Sequence, residues 1–183
     1  PSDADWALGE GRSRLSAGQG AEGLKVLRRA RHLHRGRPGS GSIDLALAEA
    51  LVREGQAEEA VKLLSGDLPG VDPATAAYDL GLAFLRIGRP GEASESFEES
   101  ETRAAEEPLR CFAGLLRGEA LYAAGRFSEG AAVSGRVAAS SCPAAARLRA
   151  RYDEGWCLIR SEAPGGAEQS FRALIRDARE GPS

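Results

Sequence analysis

The chain has 183 residues, enough for one domain with a continuous core, and its 42% hydrophobic and 28% charged residues are ordinary for a globular protein. A formal net charge of −3 gives no global reason to expect a nucleic-acid partner. No stretch approaches the roughly 18 to 20 apolar residues that a membrane-spanning helix needs.

Hydrophobic periodicity predicts ten helices, near 4–17, 20–34, 42–54, 57–66, 72–87, 90–104, 107–124, 127–139, 143–161 and 164–179. In the first pair Gly11, Gly18, Gly23, Leu27 and Ala30 mark helix contact, turn, contact and core in that order. The second pair repeats the pattern with Leu47, Ala48, Leu51, Gly55, Ala60 and Leu64. In the third, Leu80, Gly81, Phe84 and Ile87 share one helical face, and Gly88 to Gly91 break the helix before Ala93 and Phe97. Pro90 suits the first turn of the helix that follows. The fourth pair has Gly118, Leu121, Gly125 and Gly130, and the fifth has Gly155, Leu158, Ala167 and Phe171. Aromatics are only 5% of the chain, so the core must come mostly from Leu, Ala and Val.

Gly23, Ala60, Ala93, Gly130 and Ala167 stand 37, 33, 37 and 37 residues apart. Five residues before each lies Gly18, Gly55, Gly88, Gly125 or Glu162, and twelve before each lies Gly11, Ala48, Gly81, Gly118 or Gly155. Three combs in one register imply one helix-turn-helix unit used five times. Neither helix of a unit can bury its apolar face alone, so the units must stack into an all-α solenoid.

The pattern resembles the tetratricopeptide repeat. The resemblance implies a right-handed superhelix of about five repeats (4–40, 41–73, 74–110, 111–147 and 148–183) within a single domain. Departures are Ala7, Asp44, Ala77, Gly114 and Arg151 at the family's early Trp, Ser134 where a large apolar residue is expected, and the looser turn SEAPGG. The last helix, with Phe171, Leu174 and Ile175, has no polar capping helix after it. The chain, which contains no Met, is therefore read as a segment of a longer protein, or as one that self-associates through this helix.

Family resemblance further implies that first helices line a concave groove and that the function is protein binding. The partner-binding candidates are Leu45, Tyr78, Leu82, Phe112, Leu115, Tyr122, Tyr152 and Trp156. Such a wall is more apolar than solvent exposure warrants, which suits an apolar or amphipathic peptide segment from another protein. The alternative is a structural module making fixed contacts within a chain or oligomer. The family's carboxylate-clamping branch needs basic residues where this chain has Leu8, Ala46, Thr75 and Asp79, with only Arg12 basic. A second candidate surface is a basic docking patch at Arg28, Arg29, Arg31 and Arg35, for which a solvated outer helix is the plainer explanation. Glu92, Glu95, Glu98, Glu99, Glu101, Glu106 and Glu107 form an acidic middle.

Signals for catalysis are missing from the sequence. GQGAEG matches a dinucleotide-binding glycine pattern but follows a helix, and two of its glycines belong to the repeat. His32 and His34, two apart on a helix, diverge and make no metal pair. Cys111, Cys142 and Cys157 are odd in number and lack CxxC spacing, which argues against a disulfide framework and a zinc site. They favour the cytoplasm over the periplasm, with Cys142 expected exposed in a turn and Cys157 packed in a helix. No cofactor, no metal and no enzyme activity are expected.

Overall fold

A computed structural model describes residues 3–180. Ten helices follow one another: α1 (Asp3–Ser16), α2 (Gly20–His34), α3 (Ser40–Arg53), α4 (Ala57–Leu64), α5 (Pro73–Arg86), α6 (Pro90–Arg103), α7 (Glu107–Ala123), α8 (Phe127–Ala138), α9 (Ala144–Arg160) and α10 (Pro164–Glu180). No strand occurs among the described residues. Every predicted helix is present, with ends within two residues of expectation.

Local signals place the ends. Asp72 caps α5, its carboxylate accepting the backbone N–H groups of Ala74 and Thr75, and Pro73 follows at the first helical position. Four helix-to-helix turns share one device: Gly18, Gly55, Gly88 and Gly125 all sit at φ between 73° and 77°, where a side chain would strain the backbone. In the fifth, Glu162 adopts φ 62° instead.

Contacts divide the chain into two compact halves, one carrying α1–α5 up to Gly88 and the other α6–α10 from Arg89. Within the first, α1 to α5 pack in sequence, and α1 touches α3 as α3 touches α5. Its core joins Leu24, Leu27, Leu47, Leu51 and Leu64 around Ala48 and Ala60. Within the second, α6 to α10 pack in the same order, and α7 touches α9. Odd-numbered helices thus form a continuous layer in each half, the arrangement of stacked helix pairs.

Small residues set the helix spacing. A Cβ on Gly11 would lie 2.7 Å from Leu27, one on Gly130 2.8 Å from the Cys157 sulfur, and one on Gly155 2.5 Å from Phe171. Ser134 is fully buried with its hydroxyl against Gly118, so the position expected to hold a large apolar residue instead faces a backbone with no room for one.

The cysteine reading is corrected. Cys111, in α7, and Cys142, just before α9, are joined by a disulfide, with Cα atoms 5.7 Å apart and α8 enclosed between them. That spacing is the usual one for a bridge. Cys142 is buried against Val137, Ala138 and Ala146, not exposed. A separation of 31 residues and an odd cysteine count hid a pairing that only helix packing creates. Cys157 is fully buried in its helix, as expected, and burial pushes its thiol up to about 11.

Part of the acidic middle is ion-paired within the second half. Arg117, mostly buried, pairs with Glu98 at 2.6 Å and with Glu101 at 3.1 Å, tying α6 to α7. Glu99 pairs with Arg103 one turn along α6.

Candidate functional site: the aromatic face of α7 and α9

In the second half, α7 and α9 present Phe112, Tyr122, Tyr152 and Trp156 to solvent, each between 37% and 48% exposed. Helical register explains the grouping, because Tyr152 and Trp156 are four residues apart and so neighbours on α9. Their rings meet edge to face at 6.1 Å, and both lean on Phe171 of α10, at 6.3 and 6.1 Å. Tyr122 meets Phe127 at 5.3 Å, and the guanidinium of Arg160 lies 4.8 Å above the Phe127 ring. Leu115 is half-buried against the core around the disulfide.

Between α7 and α9 lies a cavity of about 440 Å³, lined by Glu119, Tyr122, Arg149, Tyr152, Asp153 and Trp156. Arg149 bridges its two carboxylates, 3.1 Å from Glu119 and 3.2 Å from Asp153. Burial raises the Asp153 carboxyl to about 6, with Arg149 opposing and Glu119 adding to the rise. Three aromatic side chains, two acids and one base share one opening.

The equivalent face in the first half, on α3 and α5, is more closed. Tyr78 and Leu82 are half-buried. Leu45 is buried among the core leucines, so its part is packing and not an exposed lining. Asp79 lies here as well, and burial raises its carboxyl to about 7, with the nearby Glu49 adding to the rise. Its Oδ2 is buried without a hydrogen-bond partner.

Half of the candidate basic patch is ion-paired to neighbouring helices. Arg28 of α2 donates to Gln56 at 2.8 Å and to Glu59 at 2.7 Å, and Arg31 donates to Asp44 at 2.7 Å. All four of its arginines are exposed, and two of them, Arg28 and Arg31, also brace α2 against its neighbours. Among the described residues no group of His, Cys, Asp or Glu could hold a metal, and no helix is long and apolar enough to cross a membrane.

Sequence reasoning picked out Tyr122, Tyr152 and Trp156 but not the ring contacts of Phe127 and Phe171, nor the Arg149–Asp153 pair. The four-residue spacing of Arg149 and Asp153 was visible, whereas their approach to Glu119 requires α7 to pack on α9. Trp6, 69% exposed on α1, was likewise passed over, and no pattern in the sequence marks it.

Residues 8–68 match the tetratricopeptide repeat family model. No curated protein matches the chain in sequence. Among solved structures, MamA from Desulfovibrio magneticus RS-1 (residues 41 to the end) superposes with a TM-score of 0.79 at 18% identity, covering 100% of this chain and 99% of that one. The nearly identical TPR-like repeats from Podosopora anserina give 0.76 at 19% identity, over 96% of this chain and 95% of theirs. YrrB, described as a TPR protein with an unusual peptide-binding site, gives 0.75 at 16% identity, over 96% and 86%. Residues 8–68 carry the tetratricopeptide repeat signature, and the chain has the fold of the tetratricopeptide repeat family over nearly its whole length.

Proposed function

We propose that the chain is a protein-interaction scaffold that captures an apolar or amphipathic peptide segment against its first helices, chiefly α7 and α9. The observation that carries this reading is the set of four aromatic side chains left 37–48% exposed on that one face. Rings with a polar edge gain from partial burial by a partner and are enriched where binding energy concentrates. YrrB, of the same fold, is a peptide binder by its description, which agrees with this reading.

The test is affinity capture from the source organism's lysate, comparing wild type with a Tyr78→Glu, Trp156→Glu double variant of confirmed helicity. A protein held by wild type and lost from the variant supports capture by the first helices. An unchanged set of captured proteins contradicts it. A second reading, assembly through α10, draws on Ile175, which is 53% exposed beside the half-buried Leu174. Under that reading Leu174→Glu reduces the mass measured by light scattering and leaves peptide capture intact.

A further inference from the structure

We infer that the cavity between α7 and α9 receives a basic side chain, an arginine above all, projecting from the captured peptide. This rests on the peptide-capture reading above and names the chemistry the site selects. Within the cavity Glu119 and Asp153 carry two negative charges against the single positive charge of Arg149, so the site is left with a net negative balance. Its remaining walls are the rings of Tyr122, Tyr152 and Trp156, whose faces attract cations, most strongly where water is excluded. A carboxylate-bearing ligand would meet both acids and find only an arginine already engaged. An apolar side chain would fill the rings but leave the pair of carboxylates further desolvated with only the one positive charge of Arg149 between them. A guanidinium suits both surfaces, because its flat face stacks on rings while its edge donates two hydrogen bonds to a carboxylate.

Two further observations agree. A guanidinium already rests on an aromatic ring beside the site, Arg160 over Phe127, which in turn touches Tyr122. The repeat also places acids at the same register positions in the first half. Glu119 follows the contact residue Gly118 as Glu49 follows Ala48, and Asp153 precedes Gly155 by two as Asp79 precedes Gly81. At Arg149's equivalent position the first half has Thr75, and there Asp79 Oδ2 is buried with no hydrogen-bond partner. Where the chain supplies no arginine of its own, the acid is left without one.

The experiment uses the full chain and a phage-displayed library of random dodecapeptides. Enriched peptides are then titrated by isothermal calorimetry against wild type and each variant, a readout that does not depend on Trp156. The expected result is that enriched sequences share an Arg or Lys among apolar residues. Replacing it with norleucine should weaken binding roughly tenfold. That difference should disappear in a Glu119→Gln, Asp153→Asn variant of wild-type helicity. Enriched peptides that require Trp156 yet bind equally well with norleucine, or that carry acids in place of the base, would overturn the inference and leave peptide capture standing. Peptides indifferent to Tyr78→Glu, Trp156→Glu, or no enrichment at all, would overturn both.

Discussion

Glu162 holds a backbone conformation that its four counterparts assign to glycine. At φ 62° its Cβ crowds the following carbonyl, a cost of about 1–2 kcal/mol for a residue other than glycine. Glycine would relieve that crowding but give the unfolded chain more freedom, returning about 0.4–1 kcal/mol. Glu162→Gly should therefore stabilise the fold by about 0.5–1 kcal/mol, read as a higher urea midpoint with an unchanged slope. A lower midpoint would show that the Glu162 side chain contributes more than its strain. The register comb already displayed this exception in the sequence. Ser134 was equally visible as an exception, yet its reason was not, because the glycine it faces lies 16 residues away on another helix.

For α5 the informative feature is an acid turned inward. Asp79 is raised from 3.8 to about 7 by burial and by Glu49 on α3, so folding favours its protonated form. The stability this contributes is complete below about pH 4 and is lost as pH rises through 7. Asp79→Asn keeps the neutral shape at every pH. It should flatten the decline between pH 4 and 7 and stabilise the chain at pH 8 by on the order of 2 kcal/mol. Thermal melts across that range check it, and a variant less stable than wild type at pH 8 would mean the carboxylate is compensated. Elements were the most legible scale: small-residue combs, turn glycines and Pro90 fix ten helices because each signal acts within one or two turns. Cavity and bridge were not legible, since each depends on α7 meeting another segment of chain about thirty residues on.

Across the whole molecule, stacked repeats are stabilised chiefly by their immediate neighbours. The Cys111–Cys142 bridge should therefore act locally. Closing a 31-residue separation contributes about 3–4 kcal/mol by restricting the unfolded chain. Reduction should lower amide-exchange protection in α7, α8 and α9 while α1 to α4 keep theirs. A uniform loss along the chain would mean that folding is cooperative from end to end.

The same bridge gives the chain an unequal response to tension. Pulled from its two ends, the polypeptide carries force from Cys111 to Cys142 through sulfur, and the residues between them leave the load path. About 100 Å of contour stays stored while the bridge is intact. The helix enclosed by that loop, α8, can melt but cannot be drawn out straight, so an oxidised chain is shorter at full extension than a reduced one.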